Sequence, residues 1–326
     1  MTRLSTKTYI LITLAALLAG LASCSSDQKK DNGPALAIVA CDESFEKVLQ
    51  QEIDVFEYSY PRFNVMPYYV SENAAVDSLL NLGNVKTIIT ARPLTQQETS
   101  YLKSHKKNIR ERKIAVDALA LIVNPANTIE QLTVNELADI LSGKVTEWGE
   151  IEPNKMGKID IVFDHQGSST VKYMRDSLLN GADFGPNVYA QKSNSEVFEA
   201  VAANPRAIGI IGVSWISSDL RHGEKSTEEL AQRAQSSDTT TLDFDNRVKV
   251  LKVSGRDQVV AYKPYQAYIF DGSYPLFRSI YMTTIATGGT PASNFYVFVT
   301  GFVGQKIIQM TGILPATVTP RMVSLD

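Results

Sequence analysis

Asp164-His165-Gln166-Gly167-Ser168-Ser169-Thr170, running on into Val171-Lys172-Tyr173-Met174-Arg175, is the stretch from which the rest of the chain is best read. The apolar run before it, Ile159-Asp160-Ile161-Val162-Phe163, has the length and content of a short buried strand. After it Val171, Met174, Leu178 and Leu179 recur at helical spacing, so a helix begins at the serines. A strand, a glycine turn and a hydroxyl-rich helix start leave backbone N–H groups unpaired. They also aim the positive end of the helix dipole at one spot, and such a spot favours an anion. A serine here has two roles open to it, helix N-cap or anion ligand.

With 326 residues the chain can hold two lobes, each with its own core. Hydrophobic content is ordinary and the formal charge is only −3, which points away from disorder and from a nucleic-acid surface. At the N-terminus, Arg3 and Lys7 precede an apolar stretch from Tyr9 to Leu18 that breaks at Gly20. This is a signal-peptide core too short to span a bilayer comfortably. It ends in Leu21-Ala22-Ser23-Cys24, which resembles the lipobox of bacterial lipoproteins. The expectation is removal of residues 1–23, acylation of Cys24 and attachment to a membrane on the periplasmic or cell-surface side of the bacterial envelope. Residues 24–34 are polar and aperiodic, a tether. Only Cys41 then remains, so no internal disulfide forms, and no Cys/His spacing suggests a metal.

Taken in order, Ala35–Cys41 is a continuous apolar run of the kind found in covered parallel strands. It turns at Asp42-Glu43-Ser44 into a helix that places Val48, Leu49, Ile53 and Phe56 on one face. Phe63–Val70 and Val85–Thr90 read as strands, with a helix after Ser71 between them and a capping box, Thr95 to Glu98, after the second. Lys113–Val123 is a long apolar strand able to cross between lobes. Thr133 and Glu136 cap the next helix, and Gly143 ends it. A helix over Ser195–Ala203 and a strand over Ala207–Gly212 follow. Residues 217–246 read as a polar surface excursion with one short helix around Glu228–Ala234. Val248–Val253 and Ala261–Phe270 are expected as strands, the second returning to the first lobe, and Phe295–Met310 as one amphipathic helix. Alternating strands and helices argue for an α/β architecture, in which ligands bind at the carboxyl ends of strands.

Several segments match one family in order: Asp117–Pro125, Leu132-Thr133 through Asp139–Lys144 to Trp148, Gly167–Thr170, Ala207–Gly209, Tyr274–Leu276, and Gly304-Gln305 with Gly312–Pro315. The chain resembles the PstS-like phosphate-binding proteins of ABC transporters. The resemblance implies a two-lobed type II periplasmic binding protein fold, each lobe a mainly parallel sheet flanked by helices, joined by two crossing strands. Lobe I would comprise residues 35–116 and 268–326, and lobe II residues 117–267. It further implies a monomeric, non-enzymatic protein without a cofactor that binds a small oxyanion, phosphate first, and presents it to an ABC permease. The ligand set carried over is Ser44 and Phe45 after the first strand, Ser71 after the second, Arg92 after the third, and Asp164, Ser168, Ser169 and Thr170 in the second lobe.

Charge is where the chain departs from that family. Relatives commonly place an arginine where this chain has Asp164, and a small neutral turn where it has Asp42-Glu43. An aspartate beside phosphate helps only by accepting a proton from a protonated form; otherwise it repels. Arg92 could supply a bidentate cation, or it could make a surface salt bridge. Asp164 could instead pair with Lys172. His165 beside Asp164 and Ser168 suggests a catalytic triad, but adjacent residues on one turn rarely aim at each other and there is no Gly-x-Ser-x-Gly elbow. The second functional reading is a lipoprotein of this fold that acts as a sensor or interaction module with a degenerate anion site.

Overall fold

The computed structural model describes residues 35–219, 226–236 and 242–317. The expected signal peptide, lipidation site Cys24 and tether lie outside the described residues, as do two stretches of the 217–246 excursion.

Ten strands form the main sheet: β1 (Ala35–Asp42), β2 (Phe63–Val70), β3 (Val85–Thr90), β4 (Arg110–Val123), β5 (Asp160–Phe163), β6 (Val188–Ala190), β7 (Ala207–Gly212), β8 (Lys249–Val250), β9 (Phe277–Thr284) and β10 (Leu314–Pro315). Their order is β2-β1-β3-β9-β4-β7-β5-β6, with β8 and β10 paired to β4. In the first half β1 is parallel to β2 and β3. In the second half β5 is parallel to β6 and β7. Strand β4 serves both halves: Arg110–Ala118 pairs antiparallel with β9, and Leu119–Val123 pairs antiparallel with β7. From Ala118 to Val123 it is completely buried, because both faces of the sheet are covered there. The fold is thus α/β and two-lobed, with β4 as the crossing strand that the apolar run predicts.

Ten helices flank the sheet among the described residues: α1 (Glu46–Ser59), α2 (Glu72–Leu80), α3 (Gln96–Ser104), α4 (Val134–Leu141), α5 (Ser169–Leu178), α6 (Asn194–Ala203), α7 (Thr227–Gln235), α8 (Gln266–Phe270), α9 (Pro291–Val299) and α10 (Phe302–Met310). Their starts obey local chemistry. Thr95 and Glu98 close a capping box on α3, and Thr133 and Glu136 close one on α4. Ser168 is the N-cap of α5, its hydroxyl accepting from Val171 N at 3.1 Å.

Three expectations need correction. Ala261–Phe270 is not a strand: Tyr262 makes one antiparallel bridge to Val253, and Gln266–Phe270 is α8. The strand that reaches the first half of the sheet is β9, which begins after the Tyr274-Pro275-Leu276 turn. Phe295–Met310 is two helices, broken at Thr300-Gly301, because α10 folds back tightly on α9. A Cβ on Gly304 would lie 2.5 Å from Val299 Cα, so only glycine allows that approach. The 217–246 region is also more than a surface excursion. Ser217–Asp219 pairs antiparallel with Leu242–Phe244, and α7 buries Ala231 and Ala234 in one apolar cluster with Val55 of α1 and Ile307 of α10.

Gly209 in β7 is the other close approach. A Cβ there would meet Val201 Cγ2 at 2.7 Å, and Ile122 Cγ1 and Val197 Cγ1 at 3.0 Å. Gly209→Ala is therefore expected to overpack this interface and cost about 1–3 kcal/mol, read as a lower urea midpoint. An unchanged midpoint would show that α6 slides away freely.

Candidate functional site

The carboxyl end of β1 and the N-terminus of α5 meet between the two halves of the sheet. After β1 the chain makes a short 3-10 turn, Glu43–Phe45, capped by Asp42, whose Oδ1 accepts from Ser44 N at 2.9 Å. The Ser44 carbonyl accepts from Trp215 Nε1 at 3.0 Å, which ties the turn to the second half of the chain. That hydroxyl lies 3.3 Å from the Ser169 hydroxyl, although 125 residues separate them. Ser169 and Thr170 open α5, where the first N–H groups have no carbonyl four residues back to bond. Two hydroxyl-bearing turns, one from each half, therefore face one spot.

The cation at that spot is Arg278. Its Nη1 donates to Ser169 Oγ at 2.6 Å, and its Nε and Nη2 donate to Asp117 Oδ2 at 3.3 and 3.1 Å. The guanidinium stacks on the Phe45 ring, 4.7 Å from its centroid. Arg278 and Asp117 sit opposite each other in the β9–β4 register and both are buried. Sequence reading passes over Arg278. Two signals for it exist: Asp117 is a lone acid in an apolar strand, which demands a buried partner, and Arg278 shares the inward phase of β9 with Ile280 and Met282.

The acids are as deeply set as the arginine. Asp164 accepts from the Ser168 hydroxyl at 2.5 Å and from Asn194 Nδ2 at 3.3 Å. Burial raises its carboxyl above the usual range, opposed by the Ser168 hydrogen bond and by Arg278. Burial likewise raises Asp117, with Arg278 pulling the other way. Among the described residues, Asp42 Oδ2 and Thr170 Oγ1 are buried side-chain atoms without a hydrogen-bond partner. His165 Nε2 meets Glu43 Oε1, joining the turn before α5 to the turn after β1. Burial, with Asp42, Asp164 and Glu46 adding to it, pushes the Glu43 carboxyl up to about 7.

Of the residues singled out by sequence, Ser44, Phe45, Asp164, Ser168, Ser169 and Thr170 come together here. Within that group Ser168 has its hydroxyl occupied as cap and as donor to Asp164, Ser169 meets Ser44 and Arg278, and the Thr170 hydroxyl is buried without a partner. Ser71 caps α2 through Ala74 N at 3.4 Å, and its Cβ lies 3.9 Å from where a Cβ on Gly167 would stand, so it borders the cleft. Arg92 is turned away. Its guanidinium grips Glu98 with bonds of 2.9 and 2.8 Å and reaches Glu72 at 3.5 Å, the salt-bridge alternative. Glu72 also takes Lys172 at 3.2 Å, so Lys172 pairs with Glu72 and not with Asp164.

No triad forms. The Ser168 hydroxyl goes directly to Asp164, and His165 Nδ1 accepts from Gly167 N at 3.0 Å. Among the described residues no group of three His, Cys, Asp or Glu side chains is arranged to hold a metal, and no helix is long and apolar enough to cross a membrane.

The chain is similar in sequence and in fold to several known proteins. The phosphate-binding protein PstS of Borreliella burgdorferi is 29% identical over 145 residues, covering 42% of this chain and 50% of that protein. The PstS of Pseudomonas aeruginosa PAO1 is 23% identical over 217 residues, covering 62% of this chain and 58% of that protein. The chain thus spans about half the length of the curated relatives it matches. Among solved structures, an ABC transporter substrate-binding protein from Clostridium perfringens with bound phosphate superposes with a TM-score of 0.67 at 20% identity, covering 86% of this chain and all of that one. An ABC-type phosphate transport receptor from Vibrio cholerae superposes with a TM-score of 0.60 at 21% identity, covering 85% of this chain and 99% of that one. These likenesses are in fold. A family model described as the PBP superfamily domain matches residues 28–302, and the chain belongs to that family.

Proposed function

We propose that the protein is the substrate-binding component of an ABC importer that captures phosphate in the cleft between its lobes. The observation that carries this reading is the convergence of Ser44, Ser169 and Arg278, drawn from both halves of the sheet, around two helix starts, with the buried, unpartnered Thr170 hydroxyl next in the chain. Hydroxyls, unpaired N–H groups and a guanidinium are the donors an oxyanion needs. Asp42 Oδ2, buried and unpartnered, adds an acceptor that only a protonated oxyanion can use. The relatives that bear the name phosphate-binding protein support the same ligand. Lobe I would consist of residues 35–116 and 268–326 and lobe II of 117–267. A ligand touching Ser44 and Ser169 together favours the closed arrangement, as a population shift requires. We further propose that the protein works outside the cytoplasm, tethered through lipid on Cys24, and binds as a monomer.

Isothermal titration tests this. Phosphate is expected to bind at micromolar Kd or tighter, about −8 kcal/mol or better, and sulfate, which carries no proton to offer Asp42, far more weakly. Ser169→Ala is expected to weaken phosphate about tenfold while leaving the thermal midpoint within a few degrees. Equal heats for phosphate and sulfate would defeat the acceptor reading. No heat with either would favour a sensor or interaction module of the same fold.

A further inference from the structure

We propose that this pocket selects its oxyanion by charge, taking the singly charged, twice-protonated form of phosphate and excluding the dianion, with Asp42 and Asp164 enforcing the choice. The inference rests on the phosphate reading above. Three carboxylates, Asp42, Asp117 and Asp164, are buried around a single buried guanidinium. Arg278 is already paired with Asp117 through two hydrogen bonds and a third N–H donates to Ser169, so it keeps donors for a ligand but little net positive charge. A dianion would place two negative charges beside Asp42 and Asp164. At an effective dielectric constant of about 20, two unit charges 4 Å apart repel by about 4 kcal/mol, so one charge more or less decides binding.

A proton on the ligand changes the sign of that contact, because a P–OH donates to a carboxylate. Asp42 Oδ2 has no partner within the described protein and can accept one such bond. Asp164 is the second acceptor, since its hydrogen bonds to Ser168 and Asn194 leave lone pairs on both oxygens. The unprotonated oxygens then take the hydroxyls of Ser44, Ser169 and Thr170 with Arg278. The charged and titratable groups around the two acids are Cys41 in β1 and Glu43 after it, Glu46 on α1, Asp117 on β4, His165 before α5, and Arg278 on β9. Apart from Arg278, only His165 among them can carry positive charge, and its Nε2 is held by Glu43.

The test is titration of the protein with inorganic phosphate on both sides of the ligand's second pKa, in the wild type, in the Glu43→Gln/His165→Gln double variant and in Asp164→Asn. Above that pKa the apparent Kd is expected to rise about tenfold per pH unit, because only the singly charged fraction competes for the site. The double variant should keep this slope. Asp164→Asn, or Asp42→Asn if the first does not fold, should flatten it by admitting the dianion. A Kd that is level or falls with pH would overturn the charge rule and leave the phosphate reading standing. A slope lost in the double variant would overturn it too, by assigning the proton to the Glu43–His165 pair. Absence of phosphate binding at every pH would overturn both readings.

Discussion

On the phosphate reading, Arg278→Ala is expected to remove ligand binding and to destabilise the protein at the same time. Two separate losses follow from one truncation. The ligand loses the one buried guanidinium near Ser169 among the described residues, worth about 2–5 kcal/mol for a buried hydrogen-bonded charge, or about thirtyfold to several thousandfold in Kd. The fold loses the counter-charge of Asp117, which is 1% exposed, and an unpaired buried carboxylate costs about 3–5 kcal/mol. Asp117 cannot escape to water, because β7 closes over it: a Cβ on Gly212 would stand 3.0 Å from Asp117 Oδ2. Pairing Arg278→Ala with Asp117→Asn separates the losses, since it removes the stranded charge without restoring the cation. Urea denaturation should show most of the stability recovered in the double variant, while titration still finds no tight phosphate binding. Wild-type affinity in the double variant would show that Arg278 serves only Asp117.

The second large effect concerns Glu52 on the buried face of α1. Its carboxyl is 2% exposed, and neither oxygen has a hydrogen-bond partner among the described residues. It looks into apolar space lined by Phe45, Ile89, Ile114, Ile280 and Ile308. Burial alone holds this carboxyl well above its usual range, so the folded state keeps it protonated where the unfolded chain would ionise it. A folded pKa above the unfolded one means that stability is greatest below the ordinary glutamate pKa and declines as pH rises toward the folded value. Glu52→Leu removes the titration and fills the space with carbon, and removing an unpartnered buried polar group gains about 1–3 kcal/mol. The gain should appear at neutral pH and shrink in acid, where wild-type Glu52 is neutral in both states. Denaturation at acidic and neutral pH checks this, and a variant less stable than wild type at both would mean that Glu52 has a polar role in the core. Phosphate affinity should be unaffected, since Glu52 lies beneath the cleft and not in it.

Local order was legible along the chain because it depends on neighbours. A hydroxyl three residues before a glutamate caps a helix whatever lies beyond, so Thr95 and Thr133 could be assigned as helix starts, and the apolar spacing from Val171 onward marked another at the serines. The apolar run Ala35–Cys41 could be read as a covered strand, Lys113–Val123 as a long crossing one, and the strand–glycine–serine–helix unit as an anion-favouring start, on the same grounds. Breaks that come from close packing were not legible: the fold-back of α10 on α9 depends on Gly304 meeting Val299, a contact without a periodic signature. Nor could the destination of a charge be read. Arg92 ends a strand in the expected place, yet its guanidinium goes to Glu98 six residues away. Arg278 lies 161 residues from Asp117 and 109 from Ser169, and only the pairing of β9 with β4 and the approach of α5 bring the three together. A side chain's charge settles against whichever opposite charge the packed fold delivers within about 4 Å. Strands, caps and the anion-favouring helix start were thus local properties of the chain, whereas the identity of the pocket's cation was decided by tertiary contact.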